Sequence, residues 1–213
     1  MLLFIIAMRI VKEPEERKNE ILDAAEKLFA VKGYEAATVN DILDAVKIAK
    51  GTFYYHYKSK EEVLDALIER RISEGIQRAE GIAASTLPPV QKLLAIIMAQ
   101  KPQNQTQADF TSALHEKDNA KMHQKSLTQY VLRLSPVLGR VVREGVEKGV
   151  FSTPFPDESA EILFSAALVL FDDGYFRWTK KEAAAKTAAF LIVIERALGA
   201  KGGSFMEFAK AFT

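Results

Sequence analysis

The sequence predicts an all-α protein, with an N-terminal three-helix helix-turn-helix domain followed by a larger C-terminal helical domain. Three observations predict it. Apolar residues recur at three- and four-residue spacing along most of the chain. Capping residues and prolines punctuate these runs at helix starts, and no strand-like alternation bounded by turn signals stands out. With 213 residues, 48% of them hydrophobic, the chain suits one sizeable globular unit or two small ones.

The first predicted helix, from about Glu15 to Lys32, places Ile21, Ala25, Leu28 and Phe29 on one stripe and ends at Gly33. Thr38 caps the second, with Asp41 three residues on, and Val39, Ile42, Leu43 and Val46 recur at helical spacing. The third starts near Ala49 or Lys50 and directs only Phe53 and Tyr57 inward, after Ile48 at the turn. Ser59 and Glu62 form a second capping box that opens a fourth helix running to about Ala79 through Val63, Leu64, Leu67, Ile68 and Ile72.

Two short helices joined by a tight turn over residues 38–62 have the layout of a DNA-reading helix-turn-helix. In the second of them Lys50, Thr52, Tyr54, Tyr55 and His56 face outward, and such hydroxyls and ammonium groups donate to phosphate oxygens. The bland alternative for Tyr54, Tyr55 and His56 is a packed aromatic cluster, but Phe53 and Tyr57 already occupy the inward positions. Globally, 29 basic and 28 acidic residues give a net charge of +1, and a pI of about 7.8 lies below that of most nucleic-acid-binding domains. Locally, no acidic residue occurs between Asp44 and Glu61, while Lys47, Lys50, Lys58 and Lys60 cluster there beside His56.

This segment resembles the DNA-binding domain of the TetR family of bacterial transcriptional repressors. Gly33, Tyr34 and Thr38 match the glycine, aromatic and threonine that separate that family's first two helices, and KGTFYYHY followed by KSKEEV resembles its KGTLYHHF followed by KSKEEL. The resemblance implies that Thr38, Lys50, Tyr54, Tyr55 and Lys60 contact phosphates, that Thr52 and His56 touch bases or their backbone, and that Gly51 lets the duplex approach closely; Lys58 lies in the same basic patch. Two positions depart from the pattern. Lys47 stands where glycine is common, at a cost on the order of 1 kcal/mol if its φ is positive, and Ala49 cannot cap the recognition helix as serine would.

Beyond the fourth helix, Ser85 to Pro89 is a break, with two prolines opening a helix through Leu93, Leu94, Ile97 and Met98. KPQNQTQ, Lys101 to Gln107, reads as a polar loop before a helix at Ala108 to His115. A long helix from about Ala120 to Lys148 follows, with Pro136 inside it as an expected kink and Gly149 at its end. The STPFPDES stretch turns into the last pair of helices. These are nearly apolar all round: only Ser165 is polar between Ile162 and Phe171, and nothing is polar between Ala188 and Ile194. Both runs are too short to span a bilayer, so they need cover. A second copy of the chain is the expected cover, an intrachain core the alternative, and the alanines at 183–185, 188 and 189 permit close approach.

The resulting division is 9–60 for the helix-turn-helix domain, 61–80 for a connecting helix, and 81–213 for an effector-binding and dimerisation domain. The resemblance implies dimerisation through the last two helices and a small-molecule effector in the C-terminal part. A two-fold dimer carries paired recognition helices about one helical turn, ~34 Å, or a multiple of it apart, so the expected partner is double-stranded DNA with an inverted repeat. Candidate effector-lining residues are Met98, Phe110, His115, Tyr130, Phe164, Phe171 and Trp178, each of which could instead be ordinary core. Asp172 and Asp173 could meet a cationic ligand, a basic partner residue or only solvent.

Other classes find little support. The three histidines, with no cysteine, form no nucleophile and base set, and HEKDNAKMH around His115 lacks the HExxH spacing. His115, Glu116, Asp118 and His123 could collect a metal only across an expected helix break, so neither a metal nor a cofactor is expected. Without cysteines, nothing points to an oxidising compartment, and the expected location is the cytoplasm. The apolar MLLFIIAM start lacks the features of a signal peptide or anchor, and reads as an extension with Met8 as an alternative start.

Overall fold

The computed structural model describes residues 13–114 and 120–206, apart from the side chains of residues 113, 114 and 120–122. Among the described residues every regular element is a helix: α1 Pro14–Lys32, α2 Val39–Val46, α3 Lys50–His56, α4 Lys60–Ala83, α5 Pro89–Ala99, α6 Gln105–Leu114, α7 Ala120–Glu147, α8 Pro156–Leu170 and α9 Lys180–Leu198. The all-α expectation holds, and the chain divides into two compact units that meet between Leu67 and Ile68, within α4. The apolar start, residues 1–8, lies outside the described residues.

In the first unit, α1 packs on α2 and α2 on α3. Ile21, Ala25 and Phe29 of α1, Ile42 of α2, Phe53 and Tyr57 at α3, and Val63, Leu64 and Leu67 of α4 are all buried. The Phe29 ring meets Tyr34 edge-on at 5.2 Å, which fixes the chain just after Gly33 ends α1. A seven-residue helix such as α3 is too short to be stable alone. Its two inward aromatics, ring centroids 6.3 Å apart, hold it to the core.

In the second unit α7 lies along α8 and packs on α5 and α6. Its core joins Leu93 and Ile96 of α5 to Leu134, Val137, Leu138, Val141 and Val142 of α7, Phe164 of α8, and Leu191 and Leu198 of α9. Two buried charges are locally matched. Lys92 donates to Ala83 O at 2.8 Å and to Glu144 at 2.7 Å, and Glu195 accepts from the backbone N–H groups of Gly203 and Phe205 at 3.0 Å, tying the last turn to α9. Bonds from Lys148 and then Lys92 hold the Glu144 carboxyl below its usual range.

Several boundaries differ from the expected ones. The segment read as a loop to Gln107 turns helical at Gln105, because Asn104 Oδ1 accepts from Gln107 N–H at 3.0 Å while the Gln107 side chain accepts from Gln103 N–H at 2.7 Å. This is an amide cap close to a capping box, except that Gln107 reaches one residue past the cap, to Gln103. At α4, Ser59 Oγ accepts from Glu62 N–H at 3.1 Å, but Glu62 reaches back to Lys58 N–H instead of to Ser59. The α7 helix is continuous through Pro136. Four residues before it, Leu132 is exposed, so water can serve a carbonyl that loses its helical partner to the proline ring.

Candidate nucleic-acid interface and ligand cavity

The turn into α3 is built by Thr38, Asp41 and Lys47. Thr38 Oγ1 accepts from Asp41 N–H at 3.1 Å, and Asp41 Oδ2 accepts from Thr38 N–H at 2.8 Å and from the Thr38 hydroxyl at 2.9 Å. Lys32 Nζ adds a bond at 2.6 Å to the other carboxylate oxygen. These donors, Lys32 first, hold the Asp41 carboxyl down at about 2. At the other end of α2, Lys47 adopts φ 57° and ψ 47° while its N–H and that of Ile48 both bond to Leu43 O. This is the left-handed close that glycine normally supplies. Ala49 caps α3 by backbone alone, with no side-chain bond.

The outer face of α3 is left to aromatic and basic groups. Tyr55 is 77% exposed and Tyr54 46%. Tyr54 leans its ring against Phe53, centroids 5.4 Å apart, with Lys50 Nζ 5.8 Å from its ring centre. Tyr55 meets His56 edge-on at 5.0 Å. Thr52 and His56 are half-buried, Lys50 and Lys58 exposed. Gly51 is exposed, with open space where a side chain would begin.

Two residues taken for phosphate contacts are committed elsewhere. Lys60 Nζ donates to Tyr34 O at 2.7 Å, Ala37 O at 2.9 Å and Glu35 O at 3.2 Å, and stands 4.2 Å above the Tyr34 ring centre. An ammonium has three protons, and all three are used inside the unit. The Thr38 hydroxyl proton is likewise engaged by Asp41. The remaining outward residues, Lys50, Gly51, Thr52, Tyr54, Tyr55, His56 and Lys58, lie on one short stretch of chain.

The second unit holds a cavity of about 620 Å³ with a mostly apolar wall. Of the seven expected lining residues, Phe110, Tyr130, Phe164 and Phe171 line it. Met98 and Trp178 do not, and His115 lies outside the described residues, as do Glu116 and Asp118. Trp178 is instead pinned at the α8–α9 connection, its Nε1 donating to Leu170 O at 2.8 Å, with Phe176 stacked at 5.0 Å and Lys186 Nζ 3.9 Å from its ring centre.

Arg71, Arg78, Gln100, His123 and Asp172 form the polar part of this wall. Asp172 was expected to meet a cationic ligand, a basic residue or solvent; sequence reasoning missed the other four as lining residues. Buried His123 bonds to buried Asp172 at 3.1 Å, which also accepts from Gly174 N–H at 2.8 Å, so the Asp172 carboxylate has an internal histidine partner. Burial pushes the Tyr130 phenol up, against the opposing pull of Arg78 and Arg71, so it stays a donor. Among the described residues no group of three or more potential metal ligands converges, and no helix is long and apolar enough to cross a membrane.

Comparison with known proteins places both units. Residues 21–67 match the family model for bacterial regulatory proteins of the tetR family. Residues 102–193 match that for the tetracyclin repressor-like C-terminal domain. The HTH-type transcriptional repressor KstR2 of Mycobacterium tuberculosis is 35% identical over 91 residues, 43% of this chain and 46% of that protein, so the chain spans under half the length of that relative. A TetR-family regulator from Pectobacterium atrosepticum has the same fold, with a TM-score of 0.66 over 89% of this chain and 98% of that one at 19% identity. So does SmeT in complex with triclosan, with a TM-score of 0.59 over 89% and 94% at 20% identity; SmeT is the repressor of a Stenotrophomonas maltophilia multidrug efflux pump. With its head matching one TetR model and much of the second unit another, the chain belongs to the TetR family of bacterial regulatory proteins.

Proposed function

We propose that this protein is a cytoplasmic, ligand-responsive transcriptional regulator, acting as a repressor. It binds a near-palindromic operator as a homodimer and is released by a small-molecule effector. The observation that carries the reading is α3: a helix held inward by two aromatics alone, whose other face offers two phenols, a threonine and two flanking lysines with no acidic group among them. Such groups suit phosphate oxygens, and a single thin helix suits the major groove. In this reading Lys50, Tyr54, Tyr55 and Lys58 meet the DNA backbone, Thr52 and His56 lie nearest the bases, and Thr38 and Lys60 hold the turn in place.

Dimerisation is supported by apolar stripes left uncovered on the last two helices. Ile162, Ala166 and Val169 of α8 and Ala185, Ala188, Ala189, Ile192 and Val193 of α9 are exposed at helical spacing, and a surface of that kind needs a partner. The division into a DNA-binding domain over 9–60, a connecting helix over 61–80 and an effector-binding and dimerisation domain over 81–213 follows the same reading. Effector release is supported by the cavity and by the triclosan bound in SmeT. A ligand of this kind acts through its differential affinity for two conformations.

The test is selection of the purified protein against random duplex DNA. Affinity for the winner is then measured at two salt concentrations and repeated with Tyr54→Phe. An enriched inverted repeat, bound several-fold more weakly by the variant, is the expected result. Weak, sequence-indifferent binding would sink the regulator reading and favour a ligand sensor whose head no longer reads DNA.

A further inference from the structure

The cavity wall is apolar over most of its area, yet one stretch carries polar groups whose bonding is incomplete. Arg78 reaches it from α4. Its Nε donates to Ala99 O at 3.1 Å, and among the described residues no carboxylate pairs with its guanidinium. Tyr130 presents its hydroxyl nearby, close enough to Arg78 and Arg71 to feel both charges, and the hydroxyl makes no hydrogen bond among the described residues. Gly75 lets the Gln100 side chain approach this spot: a Cβ there would meet Gln100 Oε1 at 2.5 Å and stand 3.7 Å from the Tyr130 oxygen. The Gln100 amide closes the wall behind, held by Ile96 O at 2.9 Å, with its carbonyl oxygen covered.

The other charges on this wall are matched or exposed. Arg71 pairs with Glu74 at 2.9 Å, His123 and Asp172 pair with each other, and Lys101 is exposed. Among the described residues Arg78 is therefore the half-buried cation on this wall whose charge is left open, beside a protonated phenol that can donate a hydrogen bond. A guanidinium against an apolar wall is costly until an anion meets it, and its planar fork suits a carboxylate. The cavity volume falls within the ~300–1,000 Å³ usual for small-molecule sites.

We infer that the cavity takes an amphipathic anion, an apolar body bearing a single carboxylate that pairs with Arg78 and accepts a hydrogen bond from the Tyr130 hydroxyl. The inference rests on the effector reading above, since it uses the same cavity. It adds the sign of the ligand's charge and the residues that read it.

The experiment titrates the full chain, without DNA, by calorimetry. The probes are dodecanoate, 1-dodecanol and dodecyltrimethylammonium, each below its micelle concentration, so that one apolar body carries three heads. Dodecanoate is expected to bind roughly tenfold or more tighter than the alcohol, with the ammonium weakest. Arg78→Gln should bring dodecanoate to the alcohol's affinity and leave the alcohol unchanged, Arg78→Lys should keep part of the preference, and Tyr130→Phe should weaken dodecanoate alone by several-fold. Circular dichroism of each variant guards against misfolding; should Arg78→Gln not fold, the three-head series with the Lys and Phe variants decides. Equal affinities, preference for the cation, no binding of any probe, or a preference that survives Arg78→Gln would each overturn the inference. Failed operator selection beside an intact carboxylate preference would overturn the regulator reading alone. An operator released only by uncharged or cationic compounds would overturn this inference alone.

Discussion

Replacing Lys60 with methionine separates a structural role from a DNA-contacting one. Lys60 binds three carbonyls of the α1–α2 connection at 2.7, 2.9 and 3.2 Å and stacks its charge on Tyr34. A hydrogen bond to a charged group contributes ~1.5–3 kcal/mol when well shielded. The side chain is only half-buried, so water can replace part of each bond, and methionine keeps the apolar stem. The net loss is about 2 kcal/mol, which for a chain of this size lowers the melting temperature by roughly 4 to 8 °C. Urea unfolding followed by circular dichroism, at fixed protein concentration, reads the loss. The slope of log affinity against log salt for the selected operator should stay the same, because Lys60 has no proton left for a phosphate. Unaltered stability together with a slope reduced by about one per protomer would refute the reasoning and restore Lys60 as a phosphate contact.

Asp41→Asn probes the α2 cap through pH. The folded carboxyl is held at about 2, below its ordinary value of 3.8, so its stabilising effect is complete above the ordinary value and vanishes as pH falls through about 2. The wild type should therefore exceed the variant in urea midpoint at pH 5 and lose that advantage towards pH 2; a constant gap across the range would contradict this. Gly145→Ala would put a Cβ 2.1 Å from the buried Phe151 ring, which stacks on Phe205. Overpacking of ~1–3 kcal/mol outweighs the ~1 kcal/mol helix gain, and a rise in thermal stability would show that the ring has room to move. Ile192→Glu places a charge on the exposed apolar stripe of α9; if the proposed homodimer forms through this stripe, sedimentation velocity should show dimer for the wild type and monomer for the variant, and an unshifted dimer would place the interface elsewhere.

The head was legible because its determinants are local. The Thr38 box lies within four residues, and Phe53 and Tyr57 show their inward role by a four-residue spacing. What was missed depends on contacts distant in sequence. Lys60 reads as surface charge until Tyr34, 26 residues away, supplies its carbonyl. Arg78 lies in what periodicity shows as the polar face of a connecting helix, and only the placement of α5 and α7 turns that face into a cavity wall. The His123–Asp172 pair bridges 49 residues. The start of α6 was missed for a different reason: amide side chains can cap, but they are weaker markers of a helix start than serine or threonine with an acid.

Trp178 is the sole tryptophan of the chain. Its indole N–H is tied to Leu170 O, next in sequence to the cavity-lining Phe171 and Asp172, and a lysine ammonium rests on its ring. The protein thus carries its own optical gauge. Any rearrangement of the α8–α9 connection that breaks this bond or withdraws Lys186 will change the emission of a single, assignable fluorophore, so movement of this connection can be followed without a label.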